Sequence, residues 1–289
     1  MSESTASLRR KIASSGDLQS VVRTMKALAA SSIGQYEKSV LALGDYYRTV
    51  ELGLGACLRQ LGPGALRMER ARGAGGTRMI GAVVFGSDQG LVGQFNEVVV
   101  DFAVRTLASR TGGVQLWAVG ERAQVRLADA GLVPSQRFPV PSSVQAVAPL
   151  IGQILIQGEA LHSQGRIDEL HLFYNRPTPG AGYAPSSQRL LPFDESWLHG
   201  LIDVAWPTSN LAEVLGDVTA TLRALTHDLL FISLFRACAE SLASENTSRL
   251  AAMQRADKNI DELLQHLQES FHRLRQGGID EELFDVVSG

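Results

Sequence analysis

The chain has 289 residues, a formal net charge of -3, 45% hydrophobic and 20% charged residues, and a mean hydropathy of +0.02. That balance excludes disorder over most of the length and leaves enough apolar material for a sizeable core. No run of about 18 consecutive apolar residues marks a spanning helix. Cys57 and Cys238, without Cys-x-x-Cys or His-Glu-x-x-His spacing, suggest no metal site and read as reduced, buried small residues.

The charge is unevenly placed. Residues 1–72 carry 11 Lys and Arg against 6 acids, residues 73–210 carry 9 against 11, and residues 211–289 carry 7 against 13. The two ends are therefore expected to attract one another. Met1 to Ile12 is polar and then basic, without the apolar region of a secretory signal, so a cytoplasmic location is expected.

In the first segment, apolar positions recur at Leu18, Val22, Met25, Ala29, Ser32, Tyr36, Val40, Leu43, Tyr47, Val50, Leu54, Cys57 and Leu61. Alternating steps of three and four hold one stripe on one helix face, the seam of a left-handed coiled coil, with a stutter between Tyr36 and Val40. The spacing predicts a helix from about Ser7 to Leu61, roughly 80 Å long, stopped by Gly62-Pro63-Gly64. An Arg- and Gly-rich linker, Arg67 to Arg78, follows.

The middle of the chain changes period. Met79 to Phe85 reads as a buried strand, followed by a glycine-rich loop and a helix from about Phe95 to Ser109. Val114 to Val119 and Glu121 to Ala130 repeat strand and helix, and a helix over 143–162 with strands Glu169 to Tyr174 and Arg189 to Phe193 continue the alternation. The expectation is an α/β layer domain with a mostly parallel sheet. Arg176 to Gln188 is expected to be a polar loop.

A second seam runs through Leu211, Leu215, Val218, Leu222, Leu225, Leu229 and Ile232, with a helix cap at Thr208, Ser209 or Asn210. It blurs at Ser244 to Arg249, resumes at Leu250, Met253, Ala256, Ile260, Leu263, Leu267, Phe271 and Leu274, and meets one weak point at Gly277-Gly278. Two helices this long must bury their stripes on each other. The predicted architecture is thus a central α/β domain flanked by N- and C-terminal helices forming an antiparallel left-handed coiled coil. Its segments are a helix over 1–66, a linker over 67–77, a Rossmann-like domain over 78–207 and a helix over 208–289.

Candidate chemistry is sparse. Gly86-Ser87-Asp88-Gln89-Gly90-Leu91-Val92-Gly93 occupies the place of a dinucleotide loop, but the glycine spacing is wrong and Asp88 puts negative charge where a phosphate would sit. Asp88 is expected to bond local amides instead. Ser87 is not centred in a nucleophile elbow. His227, His266 and His272 are expected to face solvent. The basic residues lack the clustering and aromatic interleaving of a nucleic-acid site. No catalytic, cofactor or metal residue is assigned.

Four blocks carry a resemblance: Thr24 to Ser32, Gly86 to Asn96, Ser244 to Gln254 and Arg273 to Leu283. In this order, on a helix, α/β domain, helix layout, the sequence resembles the gamma subunit of F-type ATP synthases. Ser32, Gln89, Gln94 and Asp280 stand where that family usually has a basic residue, an Arg, a glycine and a Thr, departures that resemble the gamma subunits of the alternative, N-ATPase type.

The resemblance implies a rotor shaft without an active site of its own, standing inside a hexamer of alpha and beta subunits. Its α/β domain would rest on the epsilon subunit and the membrane c-ring, as a peripheral component on the cytoplasmic face of the membrane, with no segment of its own inserted. Met25, Lys26 and Arg249 lie in the matching blocks. Arg275 and Gln276 match the family's Arg-Gln pair that contacts the hexamer, and Asp280 falls in the same block. By length, the first helix would cover roughly Asn210 to Leu264 of the second, leaving Gln265 to Gly289, about 30 Å or more, beyond it. Leu283 and Val286 would then meet the apolar walls of a sleeve formed by alpha and beta. A different reading of the same residues is a stand-alone nucleotide-dependent enzyme whose α/β domain is dimerised by coiled-coil arms.

Overall fold

A computed structural model describes residues 4–62, 78–180, 182–210 and 212–288. The expected linker over 67–77, the Pro63-Gly64 stop and the seam residue Leu211 lie outside the described residues.

Helix α1 spans Thr5–Leu61. The Ser4 hydroxyl accepts from the Ser7 amide at 3.3 Å, and Gly62, at φ 70°, turns the chain out of the helix while its amide reaches the Leu58 carbonyl. At its far end the chain closes with helix α6, Val218–Ser288, 71 residues or about 107 Å long. Contacts between them descend in one helix as they ascend in the other: Arg9 meets Phe271, Arg23 meets Asp257, and Gly53 faces Leu225. The two long helices are therefore antiparallel partners within one chain.

Two features of the expected seam change. Leu18 is 54% exposed, whereas Leu8 is fully buried and Gln19 bonds Asp261. The inward stripe at this end runs Leu8, Ile12, Ser15, Gln19, Val22, because Gln19 finds a carboxylate across the interface and Leu18 faces outward. The C-terminal helix begins later than expected. Gly216 adopts φ 83°, which ends any helix before it, and Asp217 caps the helix starting at Val218, its carboxylate accepting the Thr219 amide at 2.9 Å. Residues 208–210 and 212–217 are irregular and Leu215 is 85% exposed. Thr208, Ser209 and Asn210 are not the cap. Gly277-Gly278 leaves the helix unbroken.

Between the helices lies a five-stranded sheet. In chain order it comprises β1 (Met79–Phe85), helix α2 (Phe95–Ala108), β2 (Gly113–Val119), helix α3 (Glu121–Asp129), β3 (Gln136–Phe138), helix α4 (Val144–Ser163), β4 (Glu169–Thr178) and β5 (Gly182–Leu191), then helix α5 (Glu195–Asp203). The strand order is β3-β2-β1-β4-β5, parallel except for the antiparallel β4–β5 pair. Central β1 is apolar on both faces, as a parallel strand covered on two sides must be. Ile80, Ala82 and Val84 pack under α2 and α3, while Val83 and Phe85 join Trp117, Ile151, Ile154, Leu234 and Leu242 beneath α4 and α6.

The expected loop over 176–188 is instead most of a β-hairpin. Its polar composition reflects an edge position: Pro185, opposite Asn175, donates no ladder bond, which an edge strand tolerates. Short β3 and α5 carry too few apolar residues to stand out in the sequence. Helix α5 is nonetheless packed, with Leu201 against Val50, Leu54 and Leu58. A side chain at Gly55 would collide with the Leu201 carbonyl at 2.4 Å, and Arg59 donates to the carbonyls of Ile202 and Val204 at 2.8 and 3.2 Å.

By length and composition, α4 and a window within residues 218–280 are apolar enough to cross a membrane. Their apolar faces are used here against the sheet and α1.

Candidate functional site

The glycine-rich loop after β1 forms a socket for the shaft. Gly86 lies so close to α3 that a Cβ would sit 2.3 Å from that of Ala123. Ser87 is fully buried; its amide donates to Asn96 Oδ1 at 2.9 Å, and Asn96 Nδ2 returns a bond to its hydroxyl at 2.9 Å. Asp88 accepts the Glu121 amide, the first of α3, on one oxygen at 2.9 Å and the Val140 amide on the other at 2.8 Å. The carboxylate thereby caps α3, the helix after β2, and ties it to the segment after β3; both bonds come from distant amides, 33 and 52 residues on, where the sequence had suggested local ones.

The far side of the loop grips α6. Ser248 donates its hydroxyl to the Val92 carbonyl, and a Cβ on Gly93 would lie 3.3 Å from that hydroxyl. Asn175 of β4 donates to the Phe95 carbonyl at 2.8 Å and receives Ser244 on its own carbonyl at 3.0 Å, linking α2, the sheet and α6 in one chain of bonds. Here the helix is enclosed on all sides: every residue from Ala237 to Asn246 is buried. Small residues, Ala237, Ala239, Ser241, Ala243 and Ser244, let it approach the strands. Asn175 stands in no motif; Asn96, Ser244 and Ser248 fall in blocks that carry the resemblance, but none was singled out there. A further trace was the blurring of the seam at Ser244 to Arg249, where the helix ceases to have a solvent face.

Inside the socket, Glu245 and Arg249 form a buried pair at 2.6 Å, one turn apart on α6. Among the described residues, Glu245 Oε2 and Arg249 Nε have no hydrogen-bond partner. Burial pushes the Glu245 carboxyl up against the opposing pull of Arg249. Burial likewise raises the thiols of Cys57 and Cys238, in keeping with inert packing residues.

Farther out the helix pair is tied by charge. Arg23 and Lys26 reach Asp257 at 3.0 and 2.8 Å, and Arg23 reaches Asp261 at 3.5 Å. Hydrogen bonds from Lys26 and Arg23 hold the Asp257 carboxyl below its ordinary range. Met25 packs against the Val22, Met253 and Ile260 cluster. Of the residues singled out in the sequence, Met25, Lys26 and Arg249 therefore lie within the helix pair. Arg275, Gln276, Asp280, Leu283 and Val286 lie together on the exposed end of α6, Leu283 at 62% and Val286 at 81% exposure.

That end begins later than lengths alone suggested. Because α6 starts at Val218 rather than near Asn210, α1 reaches as far as Phe271, and the unpaired stretch starts near Leu274 instead of Gln265. Ile279, Phe284 and Val287 are exposed on it at 47%, 75% and 78%. Among the described residues no group of three or more His, Cys, Asp and Glu is placed to hold a metal ion.

A paired-helix shaft, clamped into the loop of an α/β domain and left bare at its tip, defines a stalk-type protein. The family model described as ATP synthase matches residues 4–289, and the chain belongs to that family. Its relatives include the ATP synthase gamma chain of Moorella thermoacetica, 27% identical across 98% of this chain and 96% of that one, and the gamma chain of Rhizobium johnstonii, 26% identical across 98% and 97%. The fold is also that of the Euglena gracilis mitochondrial ATP synthase rotor, with a TM-score of 0.62 at 15% identity, covering 95% of this chain and 98% of that one. The Tetrahymena thermophila central stalk and c-ring structure superposes with a TM-score of 0.58 at 20% identity, covering 82% and 99%.

Proposed function

We propose that this chain is the central rotor shaft of a rotary F-type ATP synthase, coupling ion flow through a membrane ring to ATP synthesis or hydrolysis in an alpha/beta hexamer. The observation that carries this reading is the end-to-end match to gamma chains, on a fold whose longest helix outruns its partner. Two helices wound on each other resist bending and twisting better than one, and the socket at Gly86 to Gly93 fixes them to the α/β domain. Torque applied at the domain is thereby delivered to the tip.

In this reading the domain rests on the epsilon subunit and the c-ring, and the complex is peripheral on the cytoplasmic face of the membrane. The exposed Leu283 and Val286 enter an apolar sleeve of alpha and beta subunits. Arg275 and Gln276 bond the surrounding loops, with Asp280 as a further contact; Met25, Lys26 and Arg249, named with them from the sequence, are engaged within the chain itself. The departures at Ser32, Gln89, Gln94 and Asp280 favour the N-ATPase type of complex. The enzyme reading is disfavoured: the long helices pair within the chain, so they supply no dimer arms, and the loop after β1 has the wrong glycine spacing for a dinucleotide.

Expression of the tagged chain with its neighbouring subunits tests the reading. Alpha and beta co-purify with it, and the Arg275→Ala/Gln276→Ala variant assembles but loses ATP-driven ion pumping. Purification as a homodimer that binds ATP contradicts it.

A further inference from the structure

Next to the socket, one turn along α6 from Ser244, the β4–β5 hairpin, α1 and α6 enclose an open cavity of about 220 Å³. Arg176 from β4 and Arg236 from α6 line it, beside the hydroxyl-bearing Tyr47, Tyr174 and Ser186. Both arginines are anchored from below by one carboxylate. Glu240, 7% exposed, takes the Nε of Arg176 at 3.0 Å on one oxygen and the Nε of Arg236 at 2.7 Å on the other.

Glu240 draws both cations to one place, and Glu51, beside Tyr47, is a second carboxylate near the cavity. Bonding through Nε also fixes the planes of both guanidiniums, with Arg176 further bonded to Tyr174, the preorganisation that favours planar, multidentate recognition of oxyanions. Tyr47 remains a protonated phenol, its pKa pushed up to about 12 by burial and by Glu51. The volume is below the roughly 300–1,000 Å³ of pockets that enclose drug-sized ligands. It suits a small group rather than a whole nucleotide.

We propose that this cavity is a binding site for a tetrahedral oxyanion, either free inorganic phosphate or the phosphate end of a larger molecule, held between Arg176 and Arg236. Occupancy joins the hairpin to both long helices beside the socket, and so stiffens the junction of domain and shaft.

Titration of the full-length chain with inorganic phosphate, at constant ionic strength balanced with chloride and read by phosphorus NMR and calorimetry, tests the proposal. The expected result is saturable binding at one site, with a rise in melting temperature. Arg236→Lys, which keeps the charge beside Glu240 but loses the fork, weakens binding roughly tenfold or more. Gln188→Glu, at an exposed residue on the cavity rim, places a repelling carboxylate there without touching the core and abolishes binding. Competition by ATP that displaces phosphate at lower concentration identifies the phosphate end of a nucleotide as the occupant, and its failure to compete identifies free phosphate. Absence of saturable phosphate binding to the natural chain, or binding unchanged in both variants, overturns the proposal.

Discussion

The guanidinium carbon of Arg9 lies 5.3 Å from the ring centroid of Phe271, a cross-helix contact near the start of α1. The favourable face of the ring toward a cation makes this a closing clasp, and it marks where the two-helix shaft becomes one. About 14 residues, some 21 Å of helix, extend past Leu274. An isolated helix of this length is marginal in water. In the free full-length chain, amides from Gln276 onward are expected to exchange far faster than those between Leu229 and Ala256, and to become protected on assembly with alpha and beta. Hydrogen exchange by mass spectrometry checks both halves of the statement.

The Glu245–Arg249 pair provides a test of the socket. Removing the Arg249 charge alone strands a buried carboxylate, which costs about 3–5 kcal/mol in comparable pairs, whereas replacing both groups with apolar ones is often near neutral. Arg249→Leu is therefore expected to be markedly less stable than Glu245→Leu/Arg249→Leu. Urea denaturation of the two variants makes the comparison; equal losses would place the pair in a wetter setting than its 13% and 7% side-chain exposures indicate.

Asp88→Ala removes the acceptor of two amides at once. Losing the α3 cap costs about 0.5–2 kcal/mol, and an unpaired Val140 amide adds roughly 1 kcal/mol or more. A loss of about 2 kcal/mol is expected from the shift in denaturant midpoint at constant slope. Asp88→Asn, which keeps one acceptor, is expected to lose less.

At the other end of the sheet, buried His171 donates its Nε2–H to Glu169 at 2.8 Å, with Arg110 and Arg78 on the same carboxylate at 3.2 and 3.4 Å. Burial lowers the His171 pKa below its ordinary 6.5, outweighing the help of Glu169, with Arg110 and Arg189 adding to the fall. Burial alone would raise Glu169, but His171, Arg110 and Arg78 reverse this and hold it below 4.5. Both unfolded groups then bind protons before the folded ones do, so stability falls on acidification, beginning near pH 6.5 with His171 and continuing below about 4.5 with Glu169. His171→Gln retains an amide donor for Glu169 and removes the titration. Melting temperature is expected to drop less between pH 7 and pH 5.5 in that variant than in the natural chain.

Much of the architecture was legible because the long helices speak in a repeating step. Val22, Ala29, Tyr36, Val50 and Leu54 are all buried as their spacing requires. Periodicity is silent on phase near an end, however, and Leu18 and Gln19 changed places once Asp261 was opposite. The helix start slipped from Asn210 to Val218 because a leucine at 3,4 spacing, Leu215, outweighed the signal of Gly216-Asp217. The hairpin was hidden by its edge position, where polar residues and Pro185 are compatible with a strand. In the socket, Asp88 was readable as an amide acceptor, but not its partners, which are Glu121 and Val140 rather than local amides. Asn175 and Ser244 were not, because their meaning lies in a contact between segments 69 residues apart.

The most direct test of the central claim is rotation itself. Val133, 77% exposed on the α/β domain, can carry a single reactive cysteine, since Cys57 and Cys238 are buried. With the alpha and beta hexamer held on a surface and a visible probe attached at that position, ATP is expected to drive continuous rotation of the probe in one direction, at a rate that tracks hydrolysis. Sustained hydrolysis by the assembled complex with the probe stationary would contradict the account.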